Sequence, residues 1–406
     1  MHHDFAACLL VAGSAACSFH PPGTGSLAND AAVADASAVT GGDASDCLVL
    51  PFAPINFDPC DVGDIGPGLT IEENSTIDSA RRVLESNGLA DVDLTATSAV
   101  IQQNDGPELL VLALSRLRIE AQVELQVIGA RPLIIVATED MHIAGTLHAG
   151  AVGPTDGLGA NSAQCGAGGT GETQTVPPGG PSAGTGGGGG GYGKVGASGA
   201  AVANSGGGVR PGGSANGDPS MVPLRGGCRG GRGGHPASGQ GGGPGGGGGG
   251  AIQLVAAQRI DVEAGGVITA HGGGGQGASR NYAGGGGGSG GAIVLEAVDI
   301  DIAGAVAANG GGGGEGARGG GRGNPGQDGR TDSDAVAVGG NAGAISGGDG
   351  GNGGAGTQAA GPGFPGINDL LRAGGSGGGG GSVGRVRLLH HGGELSVTGT
   401  VSPSPG

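Results

Sequence analysis

The sequence predicts an all-β chain: a β-solenoid, parallel β-helix-like, carrying long glycine-rich insertions. A β-sandwich with the same insertions is the alternative it leaves open. Three observations lead there. First, 106 of the 406 residues are Gly, while Phe, Tyr and Trp number 5, 2 and 0. Each Gly in a helix interior costs about 1 kcal/mol against Ala, which disfavours a helix bundle. Collagen is excluded, because Pro is only 22 and the glycines keep no strict three-residue period. Second, one apolar three-strand pattern recurs five times. Third, the longest glycine runs fall only between copies of that pattern.

Taken in order, residues 1–17 open the chain with MHHDFAACLLVAGSAAC. The apolar run from Phe5 to Ala12 is far too short to span a bilayer as a helix and suits a secretory signal. Residues 18–46 are rich in Ala, Asp, Ser, Pro and Gly. They hold too little apolar surface to offset ordering entropy and read as a disordered tether. Residues 47–107 mix strand and helix signals and read as an N-terminal cap region. Residues 108–406 form the β-repeat domain, with Gly-rich insertions at 154–249, 272–290 and 311–381.

The repeats share their spacing. Leu110-x-Leu112 leads to Leu117-x-Ile119 and Val123, and Ile134-x-Val136 to Met141-x-Ile143 and Leu147. Ile252-x-Leu254 leads to Ile260-x-Val262 and Ile268, Ile293-x-Leu295 to Ile300-x-Ile302 and Val306, and Val386-x-Leu388 to Leu395-x-Val397 and Val401. Each unit reads as three short strands with period-two alternation. One unit cannot bury its own apolar face, so the units must stack, like residue over like. Ala149, Ala270 and Ala308 at the ends of the third strands suit a narrow interior. The insertions read either as solvated loops or as polyproline-II helices packed side by side, their free backbone groups bonded across helices.

Six cysteines are present. Cys8 falls in the signal. Cys47, Cys60, Cys165 and Cys228 allow three connectivities. The sequential pairs are preferred, because each closes a loop without core-forming residues, and an even set fits an oxidising compartment. No metal or cofactor is expected, since no CxxC or HxxxH spacing occurs. The formal net charge of −17 argues against nucleic acid.

Ser14, Ala15, Ala16 and Cys17 resemble the bacterial lipobox, which implies lipidation of Cys17 and a membrane partner through that anchor. Ser14 stands where an aliphatic residue is usual, and the leading residues carry no Lys or Arg. Soluble secretion is the alternative. The glycine runs are similar to glycine-rich insect antifreeze proteins and to the glycine-rich ectodomain region of the anaplastic lymphoma receptor kinases. Residues 130–151 and 286–304, behind the lipobox and tether, resemble uncharacterised glycine-rich bacterial surface lipoproteins. That resemblance implies an outer-membrane or cell-surface location and brings no activity.

Candidate chemistry is sparse. GGDASDCLV at 41–49 matches a calcium nonapeptide at Gly41, Gly42, Asp46 and Leu48 but has Ala44 in place of Gly. Such repeats share ions between stacked turns, so a single copy reads as coincidence. Outward acidic candidates are Glu139, Asp140, Asp261, Glu263, Glu296, Asp299, Asp301 and Glu394. A solvated acidic face is the preferred reading of them, with a carboxylate pair of a carbohydrate-active enzyme as the rival. His148, His271, His390 and His391 occupy different repeat positions. No catalytic residue is assigned. The sequence therefore points to a surface-anchored structural or adhesive protein of the cell envelope. The alternatives are a polysaccharide lyase or hydrolase and a ligand-binding surface module, with extracellular polysaccharide as a possible partner class.

Overall fold

The computed structural model describes residues 47–86, 90–175, 182–235, 241–341, 347–367 and 373–406. All lie in one compact unit, Ser45–Gly406. The signal, the tether, Cys8 and Cys17 fall outside the described residues, as does most of the nonapeptide-like stretch. Among the described residues the chain is all-β, with two 3-10 turns (Pro59–Asp61 and Thr95–Thr97) as its helical pieces.

In chain order the strands are β1 (Leu69–Ile71), β2 (Ser75–Asp78), β3 (Val83–Ser86), β4 (Val92–Asp93), β5 (Ser98–Gln102), β6 (Glu108–Leu114), β7 (Leu117–Ile119), β8 (Glu124–Ile128), β9 (Leu133–Ala137), β10 (Met141–Ile143), β11 (Thr146–His148), β12 (Thr173–Thr175), β13 (Ser182–Gly184), β14 (Ala251–Val262), β15 (Val267–Thr269), β16 (Ala292–Ile302), β17 (Ala305–Ala307), β18 (Arg385–His390), β19 (Leu395–Val397) and β20 (Thr400–Ser402). Three parallel ladders take up most of them. The first joins β6, β9, the first half of β14, the first half of β16 and β18. The second joins β1, β7, β10, the second halves of β14 and β16, and β19. The third joins β2, β8, β11, β15, β17 and β20. At the N-terminal end, β5 adds antiparallel to β6, β3 to β2 and β4 to β3, making the sheets mixed.

Register explains the core. Ile252 pairs with Ile293, and both are fully buried in one cluster with Ile260, Ile268, Ile300 and Val306. Ala149, Ala270 and Ala308 join that cluster. Two expectations are corrected. In β9 the inward residues are Leu133 and Ile135, which pair with Ile252 and Leu254, while Ile134 and Val136 face outward. The run LIIVA is apolar on both faces, so alternation cannot set its phase. In β8 the inward residue opposite Leu147 is Leu125, not Val123. The stretch over 69–78, ambiguous in sequence, supplies one more pair of stacked strands, β1 and β2.

The insertions leave after the third ladder and return before the first. Their backbone groups bond from segment to segment with a period of three. In 283–291, Ala283, Gly286 and Ser289 donate to Gly234, Gly231 and Cys228, whereas Gly284, Gly287 and Gly290 donate to Ser376, Gly379 and Ser382. Gly285, Gly288 and Gly291 donate to Gln276, Gly273 and Ala270. The same residues accept from 243–249, 187–190 and 311–314. One segment is thus bonded to six others. A Cβ on any of Gly284 to Gly288 would lie 2.1 Å or less from a neighbour's carbonyl oxygen, so only Gly permits this approach. Side chains return at the rim: Gln164, Ala167, Thr170 and Thr173 are exposed, three residues apart.

Candidate functional site

The three ladders differ in what covers their outer faces. The outer face of the first is apolar: Leu109, Val111, Ile134, Val136, Val255 and Val294 lie beneath an N-terminal strap, residues 47–62, and beneath Met221 and Leu224. Toward its C-terminal end the third ladder is covered by the insertions. There Ser402 Oγ donates to Asn309 Oδ1 at 2.6 Å and accepts from Gly356 N–H at 2.9 Å. The second ladder stays open. Rung by rung, its outer row reads Thr70, Arg118, His142, Asp261, Asp301 and Ser396.

The middle of this row, Arg118, His142 and Asp261, lines an open groove of about 400 Å³ bounded also by Arg116, Glu139 and Arg259. Asp261 and Asp301 are direct neighbours, as their matching repeat positions imply. Stacked like charges repel, and basic side chains approach them here. Arg259 reaches Asp301 at 3.1 Å, and the His142 ring lies 3.3 Å from Asp261 and 2.8 Å from Glu263. Arg116 holds Glu139 at 2.8 Å. The hydrogen bond from Arg118 holds the Glu120 carboxyl below its ordinary range. The arrangement is a mixed-charge surface on which carboxylates are held by guanidinium and imidazole groups. It suits ionic and hydrogen-bonding recognition of a polar ligand. Asp140 is exposed beside the groove, and Asp299 accepts from the Glu394 N–H at 2.7 Å.

Glu296 departs from the expected outward, solvated position: it is completely buried. The strap lies over it. Glu296 Oε2 accepts from Ile55 N–H at 3.2 Å and from Gln253 Nε2 at 2.9 Å, and Oε1 lies 3.1 Å from His391 Nε2. Gln253 also donates to Ile55 O, and Asn56 Nδ2 donates to Gln253 Oε1 at 2.8 Å. Phe52 stacks on His391 at 4.0 Å. Burial pushes the Glu296 carboxyl above its ordinary range. Sequence alternation placed Glu296 on the outer face, which is correct, but nothing in the spacing announced the strap. A Glu inside the apolar run AIVLEAV was the available signal.

His148 and His271 stack at 5.0 Å on the third ladder. Burial lowers both imidazoles, His271 to about 3, and Thr269 Oγ1 lies 2.9 Å from its Nδ1. Among the described residues no group of three or more His, Cys, Asp or Glu is placed to hold a metal ion, and no helix is long and apolar enough to cross a membrane. Cys47–Cys60 and Cys165–Cys228 are disulfides, the sequential pairing. Protein-family models, curated proteins and solved structures contain no match to this chain.

Proposed function

We propose that this chain is an exported, surface-anchored structural or adhesive protein of the cell envelope, without enzymatic activity. Its architecture is read as a β-solenoid, parallel β-helix-like, with insertions packed as polyproline-II helices. The three parallel ladders visited in one chain order support the first part. The three-residue period of the bonds between insertions, which is that of polyproline II, supports the second. One observation carries the functional reading: the glycine insertions bond to one another through their backbone groups, which makes them an ordered body rather than loops poised over a reaction centre. Two disulfides suit an oxidising compartment, and the lipobox-like Cys17 supplies the anchor in this reading. Carboxylates on the open face engage Arg or His instead of standing as a free acid and base.

The test has two arms. Cys17→Ser should move the protein from the membrane fraction to the soluble exported fraction. Beads coated with residues 47–406 should adhere to cells or extracellular matrix while releasing no reducing ends from polysaccharides. Retention of Cys17→Ser in membranes removes the anchor, and polysaccharide cleavage removes the non-enzymatic reading. The mixed-charge groove favours a second reading, a ligand-binding module for charged polysaccharide. In that case Arg116→Gln with Arg118→Gln should weaken binding and leave the fold intact.

A further inference from the structure

We propose that the strap, residues 47–62, is a pH-sensitive latch that closes over the first ladder while the Glu296–His391 pair holds its proton and loosens when that proton is lost. The strap crosses an apolar face, where Phe57 and Val62 pack on the outward rows of β6, β9, β14 and β16. Apolar contact alone leaves its position along that face undetermined. On these four strands the polar break is Gln253 and Glu296, set diagonally across β14 and β16 and joined by a 2.9 Å hydrogen bond, and the strap meets it with the backbone of Ile55 and the side chain of Asn56. A buried polar group of this kind fixes register.

The partner chosen for Glu296 makes the register key titratable. On the open face, carboxylates meet guanidinium groups and the His142 ring while staying in contact with water. Under the strap the carboxylate is removed from water, and the side chain facing it is an imidazole, which carries a charge only when protonated. The strap contributes the uncharged Ile55 N–H, β14 contributes the uncharged Gln253, and the segment after β18 contributes His391. With one proton on the pair, either the carboxyl is neutral or both partners are charged and matched. Without it, the closed strap buries a bare carboxylate, which an open strap returns to water. The sign agrees with the raised Glu296 carboxyl: the closed state binds the proton more tightly, so closure is favoured at lower pH and lost as pH rises.

Hydrogen exchange of the full chain, followed by mass spectrometry from about pH 5 to about pH 9 and corrected for intrinsic exchange, tests this. Protection of the Ile55 amide should fall about tenfold or more over that range, the equivalent of one pK unit, while ladder amides of β14 and β16 hold. Glu296→Gln keeps an acceptor without charge and should flatten the pH dependence. His391→Arg should preserve protection at the alkaline end. Constant Ile55 protection in the natural chain overturns the latch. So does an unchanged pH profile in Glu296→Gln, or loss of ladder protection in step with the strap. The natural-chain titration decides the matter even where a variant fails to fold.

Discussion

At the scale of single residues, the molecule is governed by where a side chain is forbidden and where a proton is unwelcome. Gly286 bonds to two segments, through Gly231 and Gly246, and a Cβ there would sit 2.0 Å from Gly188 O of a third. Gly286→Ala should cost about 1–3 kcal/mol, as overpacking does, read as a lower thermal midpoint. Gly208→Ala, with open space around its Cβ, should leave the midpoint unchanged within about 0.5 kcal/mol. His271 makes the second residue-scale prediction. Its folded value near 3 lies below the ordinary imidazole value of 6.5, so the unfolded chain binds the proton more tightly. The contribution of neutral His271 is whole above 6.5 and is lost as pH falls toward 3, up to roughly 5 kcal/mol across the window. Thermal midpoints should therefore drop from neutral toward acid pH, with a shallower slope in His271→Gln. This runs opposite to the latch, which tightens in acid, so global melting and Ile55 exchange should diverge.

At the scale of elements, strands announced themselves when one face was polar and hid when neither was. β14, with Ile252, Leu254, Ile260 and Val262 pointing in, was readable in phase, and its register with β16 follows from the sequence. β9 was readable as a strand but not in phase, because Ile134 and Val136 are buried on the outer face as fully as Leu133 and Ile135 on the inner. That second burial comes from the strap and from Met221 and Leu224, segments distant in sequence. β8 misled for a local reason: Val123 precedes the strand, and two further residues bring Leu125 to the core. β1 and β2 were missed because their polar outer row, Thr70 and Thr76, and the buried Ser75 broke the aliphatic pattern. Of the candidate site, the Asp261–Asp301 ladder was legible from matching positions. The approach of His142 and Arg259 to it depends on side chains swung across rungs, which spacing does not encode. The disulfide across the first insertion offers an element-scale prediction. Closing a loop with a sequence separation of 63 is worth about 4 kcal/mol in the chain-entropy model. Cys165→Ser with Cys228→Ser should lower the denaturant midpoint accordingly and speed proteolysis within 182–235 ahead of the ladders.

At the scale of the whole molecule, two cores of different chemistry share one body. The first is aliphatic and stacks along the ladders. The second contains almost no side chains and is held by backbone bonds between insertions. The ladders account for the aliphatic core, and the backbone bonds of the insertions account for order in nearly featureless sequence. Limited proteolysis of residues 47–406 should therefore spare 241–250, 270–277 and 283–291, and attack should begin at rim positions such as Lys194 and Arg322. Early cleavage inside 283–291 would undo the ordered-body reading on which the adhesive proposal stands.

The six-way bonding of residues 283–291 also sets an order of events during synthesis. Four of its partners, 187–190, 228–234, 243–249 and 270–276, have left the ribosome before it, but 311–314 and 376–382 have not. The centre of the glycine body therefore stays incomplete until almost the last strand is made, a wait of seconds at ordinary elongation rates. Until then the centre of the glycine body lacks one side of its bonding, and its closure becomes a single late step.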